Sequence, residues 1–408
     1  MSDELTCDIL VVGGGLIGTA LALGLEHQGW DVILVESATA DELTRVPPPA
    51  QVPDDFEPRV SALSLASQSL LGDLGAWPLD GGRVCDYQRM VVWDGEGTGR
   101  IEFDAADLQV SALGAIVENR LVISALMQRV QASKLRLLDG ATVTGWWEQP
   151  DGGRGIELSD GRRIQAALTV AADGARSKLR QWAGVPSREW DYQQQAIVCT
   201  VQTAQSHRHT AWQRFATTGP LAFLPLAGED PQAGHFCSIV WSQDTAEARR
   251  LMALPDDDFR QALGEAIEQQ LGPVEAVSRR HAFPLRQCHA KQYSRPGLVL
   301  VGDAAHAIHP LAGQGANLGY SDVRVLLEEL ARARDSGLAP DDHLTLARYE
   351  RRRKGENLAM MAAMEGFKTL FAQEALPLRW LRNTGMRWLD GAAPLKNRLA
   401  AQAMGLGV

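Results

Sequence analysis

The first residues able to do chemistry are glycines. Gly13, Gly15 and Gly18 form G-x-G-x-x-G, and Glu36 follows 23 residues after Gly13. Such a turn suits the pyrophosphate of a dinucleotide. Its first glycine permits a tight turn, its second lets the backbone approach the phosphates without an intervening Cβ, and its third lets a helix pack closely on a strand. The helix start that follows offers unpaired N–H groups and a partial positive charge. Glu36 is placed to accept hydrogen bonds from the adenosine ribose. The spacing alone does not separate a flavin from a nicotinamide dinucleotide.

These residues need a β-α-β unit to position them, and the flanking pattern supplies one. Residues 8–12 read as a buried strand, 16–27 as an apolar helix and 32–36 as a second strand, with a crossover short enough to imply a parallel pair. Residues 45–58, with five prolines, read as a surface excursion. From Pro186 to about Phe283 the pattern becomes alternating, with antiparallel strands expected at 196–203, 211–216, 221–226 and 235–241. A buried strand returns at 298–301, a glycine-rich turn leads into a helix expected after Leu318, and everything from about Thr345 reads as helix.

Two later stretches complete the set. One is Ala172, Asp173, Gly174, Ala175, Arg176, Ser177, continuing to Arg180. The other runs from Gly302 and Asp303 through His306, His309, Pro310 and Leu311 to Gly315, Ala316 and Asn317. Singly, either could be an ordinary turn. Together, in this order and spacing, the three motifs resemble the 4-hydroxybenzoate-hydroxylase-like flavoprotein monooxygenases, and among them the ubiquinone-biosynthesis hydroxylases. The resemblance covers almost the whole chain.

It implies an α/β fold: a Rossmann-like FAD-binding domain (1–70, 115–185 and 286–344) interleaved with a mainly antiparallel β-sheet substrate domain (71–114 and 186–285), followed by a C-terminal helical region (345–408). It also implies roles. Asp303 would hold the ribityl chain of FAD. Gly315, Ala316 and Asn317 would lie along the isoalloxazine, where backbone N–H groups suit the negative charge of a reduced flavin. Asp173 and Gly174 would hold the pyrophosphate region, Arg59 would contact the cofactor, and Asn119 or its neighbour Arg120 would approach the ribityl chain. His309 and Pro310 would stand near the flavin. Phe223, Leu224, Leu226 and Pro310 would wall an apolar substrate pocket, although the three strand residues read about equally well as plain core.

No catalytic residue is assigned, because the hard chemistry in this family belongs to the flavin, with NAD(P)H as transient reductant and O₂ as oxygen donor. His306 reads as a structural hydrogen-bonding residue rather than a base.

Bulk properties agree. A net charge of −10 and a calculated pI near 5.5 argue against nucleic acid as the main partner. The scattered Cys7, Cys85, Cys199, Cys237 and Cys288 contain no C-x-x-C pair, which disfavours a disulfide framework and a zinc site and fits a reducing cytoplasm. The acidic N-terminus resembles neither a signal nor a transit peptide, and no uncharged apolar run is long enough to span a bilayer.

The substrate reading, a polyprenylated phenol or quinol, rests on the resemblance, which extends to residues 212–226, 349–354 and 403–406. A soluble aromatic acid is the alternative substrate, and a flavin-bearing scaffold within a ubiquinone-biosynthesis complex the alternative role. From Thr345 to Val408 there are 11 Lys/Arg against 5 Asp/Glu, with Trp380 and Trp388 interspersed among Arg379, Arg382 and Arg387. This region reads equally as a peripheral contact with an anionic inner membrane and as a packing or homo-oligomer face.

Overall fold

The computed structural model describes residues 4–79, 82–149, 152–230, 234–307, 315–371, 373 and 376–405. The N-terminal strand spans Glu4–Val12 and lies at the heart of an eight-stranded sheet. Parallel to it run Val32–Val35 on one side and Arg163–Ala171 on the other, with Leu298–Leu300 beyond the latter. Ile9 to Val12 and Val32 to Val35 are buried residue by residue, as a parallel strand covered on both faces requires. Helix Leu16–His27 covers one face and packs on helices Asn119–Ala132 and Gly315–Asp335.

The second sheet has nine strands. The four antiparallel strands expected from the alternation are present as Ser187–Thr203, Thr210–Ala216, Gly219–Leu226 and Phe236–Asp244. One edge continues through Arg89–Asp94, which joins in parallel, to Arg100–Asp104. The other edge runs through His281–Ala290 to His306–Ala307. A small sheet of Val60–Leu63, Gly114–Glu118 and Cys85–Tyr87 sits against the large antiparallel one.

Two sequence expectations shift. The helix expected after Leu318 begins at Gly315, so Ala316 and Asn317 belong to its first turn. Glycines at 313, 315 and 319 hide that start from propensity, whereas tertiary bonds from Asn317 fix it. The expected wall of Phe223, Leu224 and Leu226 is also divided, because successive strand residues face opposite ways. Leu224 and Leu226 join Ala62, Ile116 and Ala222 between the sheets. Phe223 lies with Trp241, Phe259 and Leu263 on the other side, beneath helices Thr245–Met252 and Asp256–Ala266.

The C-terminal region forms helices His343–Phe371, Leu376–Gly391 and Ala393–Ala403. The second clasps the Arg89–Asp104 hairpin: Arg382 and Asn383 donate to the buried Asp94 carboxylate at 2.8 and 2.9 Å. Phe371 stacks on Phe215 with ring centroids 4.4 Å apart. Trp380 and Trp388 face outward, 67% and 66% exposed. Among the described residues, no helix is long and apolar enough to cross a membrane.

Candidate active site

Four adjacent parallel strands end together, and each carries a motif at its C-terminal end. In register, Val12 lies opposite Val35 and Ala171, and Ala171 opposite Leu300. The residues that follow are Gly13, Glu36, Ala172–Asp173 and, one residue beyond Val301, Gly302–Asp303. Open parallel sheets bind ligands at this edge, where loops and helix N-termini converge.

The glycine loop divides its labour. Gly13 has φ +110, and a Cβ there would meet the Ala172 carbonyl oxygen at 2.4 Å. Gly18 is equally constrained, since its Cβ would stand 1.9 Å from the Gly13 oxygen. These two glycines let the first and second motifs touch. Gly15 has nothing within 4 Å of a built Cβ, so its freedom serves no packing and leaves space for a phosphate. Glu36 accepts from the Gly14 and Ala38 amides and the Ser37 hydroxyl, which fixes its carboxylate beside the loop.

In the second motif, Asp173 Oδ2 accepts from the Leu179 amide at 3.2 Å, whereas its Oδ1 is buried without a hydrogen-bond partner. A buried acceptor of this kind asks for a donor from a ligand. Gly174, at φ +81, opens on empty space. Arg180 ties this motif to the third: buried, it donates to the carbonyls of Ala304 at 2.8 Å and Ala175 at 3.1 Å.

Asp303 is solvent-accessible, yet burial is the main cause raising its carboxyl above the ordinary range, opposed by His306 and Arg59. Its carboxylate is within reach of a ligand although protein surrounds much of it. Arg59 also lies over the Phe283 ring, 5.4 Å from its centroid. Asp303, Arg59 and Phe283 thus lead from the parallel sheet to the antiparallel one. On that second sheet Phe283 shares a face with Ala196, Val198 and Val240.

The remaining expected residues fall around this line. Asn119 opens its helix with its amide donating to the Arg59 carbonyl at 3.0 Å, and its side chain accepts from Ser61 Oγ at 2.6 Å. Arg120 is turned away, toward the carbonyls of Glu42 and Arg45. Gly315 is open, and Asn317 uses its side chain to fasten the helix start to Ala62, Ser64 and Ser67. Leu224 and Leu226 are buried against the small sheet. His309 and Pro310 lie outside the described residues.

Sequence reasoning missed a buried polar cluster behind Asp303. Asp322 accepts from the Gly302 amide at 2.8 Å, His306 Nε2 at 2.6 Å and Arg353 Nε at 2.7 Å. Burial alone would raise the Asp322 carboxyl, but His306 and Arg353 outweigh it and hold the group below the usual carboxylate range. Arg353 also donates to Asn357, whose amide reaches the Tyr293 hydroxyl, itself 3.1 Å from His289 Nε2. His306 is therefore committed to a structural bond, as its sequence context suggested. Only charged residues at apolar positions on two helices, Asp322 and Arg353, could have signalled the cluster.

The residues present fit FAD: an unpartnered buried acceptor, an open glycine loop at a helix start and a solvent-accessible carboxylate all meet at one sheet edge. Comparison with known proteins agrees. Residues 95–362 match the FAD binding domain family. The chain is 38% identical over 404 residues to the 3-demethoxyubiquinol 3-hydroxylase of Escherichia coli, covering 98% of each protein. It is 36% identical over 405 residues to the ubiquinone hydroxylase UbiL of Rhodospirillum rubrum, covering 99% of this chain and 91% of the other. The crystal structure of p-nitrophenol 4-monooxygenase PnpA from Pseudomonas putida shares the fold, with a TM-score of 0.77, 19% identity and 98% of each chain covered. Spanning these relatives nearly end to end, the chain belongs to the FAD-dependent monooxygenases that include the hydroxylases of ubiquinone biosynthesis.

Proposed function

We propose that this protein inserts one oxygen atom from O₂ into the ring of a polyprenylated phenol or quinol on the route to ubiquinone, with NAD(P)H as reductant. The observation that carries the reading is the alignment of all three motifs and Glu36 at the ends of four neighbouring strands. The two relatives above are named a 3-demethoxyubiquinol 3-hydroxylase and a ubiquinone hydroxylase, and this chain covers nearly all of each.

FAD, when bound, supplies electron storage and oxygen activation. The chain supplies the rest. Gly15 and the start of its helix would receive the pyrophosphate, Glu36 the adenosine ribose, Asp173 and Gly174 the phosphate region, and Asp303 the ribityl chain. Arg59 and Asn119 would approach that chain, and Gly315, Ala316 and Asn317 would offer the helix start to the ring. Exclusion of water from the reacting ring, which would keep reducing equivalents from being lost as peroxide, would fall to apolar residues other than Phe223, which faces the opposite core. A phenol supplies much of its own nucleophilicity, so the contribution asked of an acid or base is modest, and none is assigned.

Peripheral membrane contact belongs to the same reading. The outward Trp380 and Trp388 lie on a region with six excess positive charges, in a chain whose total is −10. A lipid-tailed substrate would be met at such a surface.

Deletion of the gene in its native host, followed by mass spectrometry of accumulated quinone intermediates, tests the function. A precursor lacking one ring hydroxyl should accumulate and disappear on complementation with the wild-type gene but not with Asp303→Ala. An unchanged quinone profile contradicts the proposal.

A further inference from the structure

The flavin carboxylate Asp303 makes no described hydrogen bond that would fix its own place, so its position comes from the turn that carries it. Arg180 holds the middle of that turn, 302–306, at the Ala304 carbonyl, and one buried carboxylate bridges its two ends. Asp322 Oδ2 accepts from the Gly302 amide at its start, 2.8 Å, and from His306 Nε2 at its end, 2.6 Å. Oδ1 of the same carboxylate is held by Arg353 Nε at 2.7 Å, and both Asp322 and Arg353 are essentially inaccessible to solvent. Arg353 in turn grips the Leu318 carbonyl and Asn357 Oδ1.

We propose that Asp322 is a positioning residue of the flavin site, acting through the 302–306 turn to set where Asp303 meets the ribityl chain, with Arg353 holding the Asp322 carboxylate in orientation. His306 must present a proton on Nε2, because the ionised carboxylate opposite can only accept. Hydrogen bonds to an ionised group are among the stronger ones in a protein interior, and two on one oxygen restrict the turn more than either alone. An asparagine cannot replace this carboxylate. Whichever way its amide is turned, an NH₂ faces either Arg353 Nε or the Gly302 amide, and a donor meets a donor. The inference rests on the placement of FAD over Asp303.

The test compares Asp322→Asn, His306→Gln, His306→Leu and Asp303→Ala. FAD affinity is read from flavin fluorescence at low temperature, where the protein remains folded, alongside the visible flavin spectrum and the melting temperature with and without FAD. Asp322→Asn should weaken FAD about tenfold to a hundredfold, from loss of charge-assisted bonds, and should alter the vibronic shape of the flavin band. His306→Gln, which keeps a donor within reach of Asp322, should retain affinity that His306→Leu loses.

A purely structural role would lower the melting temperature equally with and without FAD and leave the affinity of folded protein unchanged; that result overturns the proposal. If Asp322→Asn does not fold, the histidine pair decides: equal affinities overturn the proposal, and a Gln-over-Leu difference supports it. Unchanged affinity in Asp303→Ala would instead overturn the placement of Asp303 itself, and the inference with it.

Discussion

Gly15 and Gly18 are three residues apart in one motif, yet the structure gives them opposite duties, and substitution should separate those duties. At Gly18 an added Cβ would stand 1.9 Å from the Gly13 oxygen and 3.0 Å from the Ala172 Cβ. A carbon needs roughly 3.3 Å from a carbonyl oxygen, so the helix must retreat by more than an ångström from the strand it covers. Overpacking of this kind costs about 1–3 kcal/mol, which is several degrees of melting temperature at ~2–4 °C per kcal/mol. At Gly15 nothing lies within 4 Å, and its φ of −77 is open to any residue. Gly15→Val should therefore cost the FAD-free protein only about 1 kcal/mol, that of a poorer helix cap, while its isopropyl group fills the pyrophosphate's space. Losing two charge-assisted bonds to the phosphates corresponds to about 3 kcal/mol, or a hundredfold in FAD affinity. Thermal melts of FAD-free protein, paired with flavin titrations, read both quantities. Gly15→Val protein that binds FAD within about threefold of wild type, or that melts as early as Gly18→Ala without FAD, would refute the division.

Other outcomes follow from the same geometry. Asp303→Ala should purify largely colourless; a full yellow flavin spectrum would count against its role. His207 and His289 are buried, and burial first of all lowers each to about 4. Between pH 6.5 and about 4 the unfolded chain takes up protons that these folded histidines refuse. Stability should be fully present above that window and fall through it, by at most about 3 kcal/mol per histidine. Denaturant midpoints at three pH values should show this, and the slope should lessen in His289→Gln. Arg382→Met would leave the buried Asp94 carboxylate without its guanidinium, at a cost of about 3–5 kcal/mol, and limited proteolysis should then cut within the C-terminal helices first. Replacing Trp380 and Trp388 by serine should reduce sedimentation with anionic vesicles and leave activity on a short-tailed phenol unchanged; equal sedimentation would argue for a packing face.

The sequence disclosed what local rules govern. The N-terminal β-α-β unit could be read because Ile9 to Val12 and Val32 to Val35 are continuous apolar runs on either side of a glycine loop. The antiparallel strands could be read because short runs of strand-forming residues are separated by turns. Residues held by distant partners were harder to see. The start of the Gly315 helix depends on Asn317 bonding residues 250 to 255 positions away. Phe223 and Leu224 look equivalent as neighbours in an apolar run, and only strand pairing shows that they face different cores. Asp322 and Arg353 resemble ordinary charged helix residues until the fold buries them together behind Asp303.

The central claim is that this chain, loaded with FAD, transfers oxygen from O₂ to an aromatic ring. Incubation of the purified flavoprotein with NAD(P)H, a prenylated phenol and isotopically labelled O₂ tests it most directly. One labelled oxygen is expected in the new ring hydroxyl and none from labelled water. A product labelled from water, or NAD(P)H oxidation yielding only peroxide across prenylated phenols, would contradict it.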